Sequence, residues 1–220
     1  MTQPIADYPT TDRTQVRRLK KRASYDRAAI HRILDDGRVA HIGFVARGAP
    51  VVIPTLYARD SEVVYIHGSG ASRMLNALSE GIDVCLTVTL TDGLVLARSA
   101  FHHSMNYRSV VLFGKAYLVQ ERKEILRALE SITNHVVPNR WQEVRAPNEL
   151  ELRQTKVLRL PIEEVSAKIR SGGPIDDAED YSLPVWAGVV PIVQTFAAPI
   201  ADSRLHPDAP RFDLRRFERE

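Results

Sequence analysis

The sequence has little cysteine and no long apolar run, and each absence limits what the chain can be. Cys85 is the only cysteine among the 220 residues, so an intramolecular disulfide is excluded. Its thiol lies in the apolar stretch IDVCLTV, where a buried and unreactive side chain is expected. No apolar run approaches the ~18–20 residues that a membrane-spanning helix needs, and the N-terminal segment has no apolar core typical of a secretory signal. We therefore expect a cytoplasmic protein with no membrane partner.

Positive charge of the chain exceeds negative charge by only three, and this excess is confined to one end. Residues 1–22 contain six arginines and lysines against two aspartates, a net charge of +4, which leaves −1 for the rest of the chain. We predict a basic N-terminal arm over 1–22 that lies on the surface, on a partner subunit or against an anionic cofactor. No recognition-helix pattern or zinc-ligand spacing is visible, so nucleic acid is not an expected partner.

The spacing of apolar residues predicts an antiparallel β structure with helices inserted between strands. A period of 3.6 indicates a first helix from an N-cap at Ser24 to about Asp36, with Gly37 as its stop. Two further helices are predicted, one after Ser72 and one over 123–137. The alternating patterns typical of strands cover 38–46, 51–58, 63–67, 82–90, 93–101, 107–119, 155–162 and 164–170. Because the strands follow one another too closely for repeated crossovers, we predict a mainly β fold, an antiparallel barrel with peripheral helices.

Glycine and proline positions add local predictions within this pattern. Pro54 suggests a strand edge or a bulge, Thr91-Asp92-Gly93 a hairpin turn, and Gly114 a bulge. The apolar stretch 183–192 contains two prolines and is predicted to be an extended docking segment. We expect 193–220 to be a tail that lies on the surface or is partly disordered. The predicted division of the chain is therefore an arm at 1–22, one domain at 23–192 and the tail.

The segment HGSGASRM, residues 67–74, contains several groups that suit a phosphate. Its glycines let the backbone approach a ligand closely, Ser69 and Ser72 provide hydroxyls, and Arg73 provides a planar fork of donors. The helix that follows directs free N–H groups to the same place. The alternative is an ordinary turn in which Ser72 is an N-cap and Arg73 is solvated. The spacing is not that of a Walker loop.

A second polar cluster, LARSAFHHSMNYRS at 96–109, lies between apolar strands. Burying it without partners would be costly, so it is predicted to line a ligand cavity or a subunit interface, or else to be a solvated loop. Adjacent histidines of a strand point to opposite faces, so His102 and His103 cannot both bind one metal, and no metal site is predicted. Trp186 is expected to fill a core gap or an interface, or to cover the edge of a planar ligand.

Three segments taken together resemble a known family. They are ILDDGRVAHIGF, VVIPTLYARDSEVVYIHGSGASRM and VCLTVTLTDGLVLARSAFHHSMNYRSVVLFGKAYLV. The sequence resembles the pyridoxamine 5′-phosphate oxidase-like, FMN-binding split-barrel proteins over roughly residues 13–192. Within them it is most similar to the branch of the 5-nitroimidazole-resistance-type flavoproteins. The resemblance implies a six-stranded antiparallel split barrel that works as a homodimer, with FMN in two grooves at the subunit interface.

The resemblance also implies roles for particular residues. Ser72 and Arg73 match the family's phosphate-binding Ser-Arg pair, and His67 matches a histidine close to the flavin, which makes it the candidate catalytic residue. The oxidase itself has a lysine where this chain has Met74; Lys115 or an arginine from 98–108 of a second protomer are candidates to replace that cation. The implied cofactor contacts are Val52, Ile53, Pro54, Thr55, His67, Gly68, Ser69, Ser72, Arg73, Met74, Arg98, Asn106, Tyr107, Arg108 and Trp186.

The expected function is that of an FMN-dependent oxidoreductase acting on a small molecule, with a reduced nicotinamide cofactor as a candidate electron donor. The C-terminal Arg-x-His that binds the substrate of the oxidase is missing, which argues against vitamin B6 oxidation. Two alternatives stay open. One is a flavin-binding carrier or sensor without efficient turnover. The other is a split barrel with a different ligand: deazaflavin, held by the cations of 13–22, or haem, with His102 or His103 as the axial ligand.

Overall fold

Alternating apolar residues build one antiparallel sheet, and amphipathic helices cover parts of its surface. The structure, a computed structural model, describes residues 6–217; the first five residues of the predicted arm and the last three of the predicted tail lie outside the described residues. The strands are β1 Ala23–Ser24, β2 Val39–Ala46, β3 Ala49–Asp60, β4 Val63–Ser69, β5 Asp83–Leu96, β6 Ser104–Lys115, β7 Tyr117–Leu118, β8 Thr155–Pro161, β9 Glu164–Arg170 and β10 Gly188–Pro191. The helices are α1 Arg27–Asp36, α2 Arg73–Ser79, α3 Arg122–Val136 and α4 Glu149–Gln154.

The strands follow the order β1-β9-β6-β5-β2-β3-β4-β8-β7, and β10 pairs with β5 outside this path. Every pairing is antiparallel. The path is open between β1 and β7, as in a split barrel, so the predicted fold class is confirmed. Seven of the described strands have seven or more residues, one more than the predicted six.

The core lies inside the curved sheet and is closed by α1 and α2. Ile30 and Leu34 of α1 are fully buried there, together with Leu75 of α2. The hydroxyl of the buried Tyr57 donates a hydrogen bond to the carbonyl of Leu34 at 2.5 Å, which ties β3 to the end of α1. Gly37 follows α1, and a Cβ at this position would lie 2.4 Å from Val88 Cγ1. Only glycine therefore allows α1 to end so close to β5.

Three local predictions are corrected by the structure. The N-cap of α1 is Asp26, whose carboxylate accepts a hydrogen bond from the Ala29 N–H at 2.7 Å, and Ser24 belongs to β1. No hairpin forms at Thr91-Asp92-Gly93, because β5 continues to Leu96 and both of its halves pair with β6. The register shifts between Thr91 and Gly93, so the turn-like sequence forms a bulge instead. Gly114 pairs in register with Val84 and forms no bulge.

The sheet splits where β3 leaves β4. Residues 57–60 of β3 pair with β4, whereas residues 49–56 pair with β2 alone. β4 continues along β8 as far as Ser69. The first half of β3 therefore has a strand edge without a β partner within residues 6–217, and Pro54 lies on it, as predicted.

The N-terminal end of the described chain packs against the sheet, and the C-terminal end contacts the segment after α3, where Arg216 binds Glu143 at 2.6 Å. Tyr8 is buried, and Arg13 forms ion pairs with Asp83 and Glu164. In the tail, the ring of Phe196 stacks on that of Phe217 with centroids 3.8 Å apart. β10, inside the predicted docking segment, pairs with β5. Over 6–217, we find no helix whose length and apolar character would allow it to cross a bilayer.

Candidate functional site

An exposed apolar row runs along the unpaired part of β3. Side chains alternate along a strand, and Val52, Pro54 and Leu56 share the outward face. Val52 is 65% exposed and Leu56 41% exposed, which is unusual for aliphatic side chains on a sheet. Ile53 belongs to the opposite face and packs against the core. Of the predicted β3 contacts, Val52 and Pro54 therefore present their side chains outward, whereas Ile53 offers a ligand only its backbone.

Two histidines flank this row. His41 of β2 lies directly opposite Pro54, so both side chains are on the outward face. His67 shares the face of Tyr65, which pairs with Ala58 of β3. Neither imidazole has a hydrogen-bond partner in the described part of the chain, and His67 Nδ1 is buried. Burial lowers the pKa of His67, so its ring is neutral at pH 7.

The segment after β4 forms a tight turn whose shape is fixed by backbone hydrogen bonds. The Gly70 N–H donates to the Gln154 carbonyl at 2.7 Å, and the Ser72 N–H donates to the Ser69 carbonyl at 2.9 Å. Ser72 Oγ accepts from the Leu75 N–H at 3.4 Å, so Ser72 is the N-cap of α2. This bond is long, and the hydroxyl proton of Ser72 stays available for another acceptor.

The structure separates the two residues that follow Ser72. Arg73 is exposed and forms no ion pair with any residue of 6–217. Met74 is 6% exposed and packs into the core, so its side chain does not line the surface of the turn. Gly68 lies inside the turn, where a Cβ would come within 3.1 Å of Leu75 Cδ1. A cation, hydroxyls and backbone N–H groups therefore share one exposed corner of the molecule.

The second polar cluster lies at the opposite end of the long strands and is held by partners within the chain. Arg98 binds the fully buried carboxylate of Asp176 through its backbone N–H and through Nη1, both at 2.9 Å. Arg108 binds Asp92 at 2.9 Å and Asp36 at 2.6 Å, and these carboxylates raise its pKa. Three side-chain atoms near this cluster are buried and have no hydrogen-bond partner among residues 6–217: Arg98 Nε, Ser99 Oγ and Arg170 Nε.

The remaining predicted residues of this cluster have separate positions. Asn106 donates to the Gly172 carbonyl at 3.1 Å. Because side chains alternate along β6, that of Tyr107 lies on the outward face, and its hydroxyl forms no hydrogen bond within 6–217. His102 and His103 lie at the end of a short 3-10 turn, not in a strand. His102 Nε2 contacts Asp177 at 3.3 Å and His103 Nδ1 contacts the Ser99 carbonyl at 2.8 Å.

A cavity of about 730 Å³ lies beneath the C-terminal tail. Its floor is the bulge of β5 around Asp92, and its roof includes Phe196 and Phe217. A neighbouring cavity of about 320 Å³ shares Phe196 and also contains His41. The smaller space therefore reaches His41, which pairs with Pro54 of the apolar row. Trp186 is 65% exposed and lies outside the lining of both.

Two residues of this region were not predicted from the sequence. His41 is separated from Pro54 in the chain and becomes its neighbour only in the β2–β3 pairing. Lys156 lies opposite Gly68 in the β4–β8 pairing. The alternation of AHIGFVA would have placed His41 on the polar face of its strand, but no local signal relates Lys156 to the turn.

Comparison with known proteins gives the family. A sequence model described as pyridoxamine 5′-phosphate oxidase matches residues 26–169. The flavocytochrome Anf3 of Azotobacter vinelandii is 41% identical over 93% of this chain and 96% of its own, with a TM-score of 0.87. A FAD and haem binding protein of Mycobacterium smegmatis is 34% identical over 86% of this chain and 93% of its own, with a TM-score of 0.83.

A more distant structure shares the fold. It is a proposed 5-nitroimidazole antibiotic resistance protein of Bacteroides thetaiotaomicron, 21% identical over 67% of this chain and 86% of its own, with a TM-score of 0.58. A search of curated proteins found no match. The family model covers more than half of the chain and two structures exceed 30% identity over most of it. The chain therefore belongs to the pyridoxamine 5′-phosphate oxidase-like family of flavin-binding split-barrel proteins.

Proposed function

We propose that the protein is a flavin-dependent oxidoreductase that acts on a small molecule in the cytoplasm. The observation that carries this proposal is the outward face at the split between β3 and β4. There an exposed apolar row lies between His41 and His67 and ends near the turn with the exposed Arg73. An apolar strip suits a planar ring, and cations with hydroxyls suit a phosphate.

The residues present fit a flavin. The buried Nδ1 of His67 has no partner within 6–217, so this imidazole can exchange a hydrogen bond with a bound ring. Val52 and Pro54 would exclude water from one side of it, and Ser69, Ser72 and Arg73 would hold the phosphate. When bound, the flavin supplies the electron chemistry, and the protein supplies orientation and exclusion of water. His67 is the proposed catalytic residue, since its neutral ring can accept a proton at neutral pH.

A small-molecule substrate would enter the space beneath the tail, because the neighbouring cavity that shares Phe196 with it contains His41, which pairs with Pro54 of the apolar row. Its walls carry both ring faces and charged groups, including Phe196 and Arg38, which suits a planar, partly polar molecule. A reduced nicotinamide cofactor is the proposed electron donor. Trp186 would contact cofactor or substrate only through rearrangement of the exposed segment before β10 or from a second protomer.

A homodimer with flavin at its interface is part of the proposal. The outward face exposes Val39, Val45, Val52 and Leu56, an apolar surface that a second copy would cover. Tyr107 lies on the same face and is the member of the 98–108 cluster best placed to contact cofactor across that interface. For Arg98, Asn106 and Arg108 the internal partners favour a structural role, with at most a secondary contact to the cofactor of a second protomer.

A second candidate is a protein that holds haem as well as flavin. Two similar structures are described as a flavocytochrome and as a FAD and haem binding protein. For this second candidate function, these descriptions favour FAD over FMN as the flavin. The predicted haem ligands His102 and His103 already contact Asp177 and the Ser99 carbonyl. His41 and His67 have no such contacts in 6–217 and fit an axial ligand better. The same outward face would also serve a flavin carrier without turnover or a deazaflavin protein.

An absorption spectrum of the purified protein tests these assignments, followed by mass spectrometry of the released cofactor. Bound flavin gives bands near ~375 and ~450 nm, and haem adds an intense Soret band, as cofactor chemistry dictates. Titration with NADH and NADPH then shows whether the flavin is reduced. Absence of flavin, with no binding of added FMN or FAD, would overturn the proposal. Solution mass measurement of the loaded protein tests the homodimer, which a monomer would contradict.

A further inference from the structure

The turn at 68–73 has a second cation close to it in space, although the sequence offers only Arg73. Lys156 is the second residue of β8 and pairs directly with Gly68 of β4. Directly opposed residues of an antiparallel pair have Cα atoms roughly 5 Å apart. In addition, the Gly70 N–H binds the Gln154 carbonyl at 2.7 Å, which fixes the turn against the start of β8. Lys156 is therefore a neighbour of the turn by strand pairing and by a backbone hydrogen bond.

The ammonium of Lys156 is directed toward α2. Its Nζ donates to Asn76 Oδ1 at 2.5 Å. Asn76 follows Arg73 by three residues, and residues three apart share one face of a helix. The Lys156 ammonium and the Arg73 guanidinium are thus brought to the same side of α2.

Neither cation is neutralised by the described part of the chain. In residues 6–217, no carboxylate forms an ion pair with Arg73 or with Lys156, whereas Arg13, Arg59 and Arg108 all bind carboxylates. Asn76 uses one of the three donors of the ammonium, which leaves two for another acceptor. An anionic group at this corner would relieve the repulsion between two like charges and would accept from both.

We propose that Lys156 together with Arg73 holds the phosphate on the ribityl chain of the flavin, which rests on the proposed function. Lys156 would supply a second positive charge, which Met74, the residue after Arg73, cannot. It supplies this charge from a distant strand. Lys115, the cation suggested by sequence, pairs with Asp83 at the end of β6, away from the turn.

The test compares flavins that carry the ribityl phosphate, FMN and FAD, with riboflavin, which lacks it. Affinities of cofactor-free protein for FMN, FAD and riboflavin are measured by quenching of flavin fluorescence. Lys156→Met should weaken FMN about tenfold or more, as expected for a charge-assisted hydrogen bond, and should change riboflavin affinity less than about twofold. Lys115→Met removes a cation elsewhere and should leave FMN affinity within about threefold, in keeping with weak effects of distant charges.

The outcomes separate this inference from the proposed function. If wild-type protein binds FMN and Lys156→Met binds it equally well, the role of Lys156 is wrong and the flavin function stands. An equal loss of FMN and riboflavin affinity would show that Lys156 supports the fold of the turn, which also overturns the inference. If wild-type protein binds none of the three flavins, the proposed function itself fails.

Discussion

Two polar clusters of this chain differ in how their groups are used. At the turn after β4, Arg73 forms no ion pair in the described range and His67 Nδ1 has no partner. At the far end of β5 and β6, Arg98 and Arg108 are held by buried or half-buried carboxylates. In the sequence alone, both regions contain many side chains that could bind a cofactor. The difference in ion pairing indicates that Arg98 and Arg108 stabilise the fold, and we propose that the exposed Arg73 is the cation that binds a ligand.

The largest expected effect is on flavin binding at the turn. Ser72→Ala combined with Arg73→Ala should weaken FMN binding by ~2–4 kcal/mol, since charge-assisted hydrogen bonds to the phosphate are lost. Titration of the cofactor-free protein measures this change. Ser203 and Arg204 form the same dipeptide in the exposed tail, and their double alanine variant is a matched control that should bind FMN normally. Unchanged FMN affinity in the Ser72→Ala, Arg73→Ala variant would show that the turn does not bind the phosphate, and the two clusters would then not differ in this respect.

A smaller effect, on stability, is expected at the second cluster. Burial opposes ionisation of Asp176, but hydrogen bonds from the Arg98 backbone and side chain prevail and lower its pKa. Asp176→Asn should lower the melting temperature by about 5 °C, a typical response to a lost buried charge pair. The flavin affinity of the folded protein should stay the same.

Asp177→Asn is the control for this prediction. Asp177 is adjacent in the chain, but its side chain is 73% exposed and contacts only His102 among the residues of 6–217. Its replacement should shift the melting temperature by less than about 1 °C, as exposed pairs contribute little. Loss of flavin affinity in Asp176→Asn at unchanged stability would mean that the second cluster also binds the cofactor.

The smallest expected effect is the pH dependence caused by His67. Because burial lowers its pKa from 6.5 in the folded state, a proton binds the unfolded chain more tightly. In the cofactor-free protein, the contribution of His67 to the free energy of unfolding should therefore be constant above pH 6.5 and should fall as the pH drops below that value. His67→Gln should remove this part of the slope, and His206→Gln, at an exposed position, should not. Equal slopes in wild type and His67→Gln would contradict the buried, neutral imidazole.

Period-2 alternation predicted most strands correctly because it reports which face of the sheet is buried. The bulge in β5 was missed because Thr-Asp-Gly is also a good hairpin turn, and pairing of both halves with β6 decides between the two. α4 was missed although Asn148 and Glu151 form a capping box that the sequence shows. Alternation along β2 places His41 on the polar face, but its neighbour Pro54 follows only from the β2–β3 pairing. Lys156 gains its neighbour Gly68 only when β8 pairs with the distant β4, so no local pattern identifies it.

The decisive measurement is a high-resolution crystal structure of the flavin-loaded protein. We predict that the flavin phosphate lies within hydrogen-bonding distance of Ser72 Oγ and Arg73, with the ring along Val52 and Pro54. A flavin whose phosphate is bound by Arg98 or Arg108, with the turn at 68–73 left to solvent, would contradict this assignment.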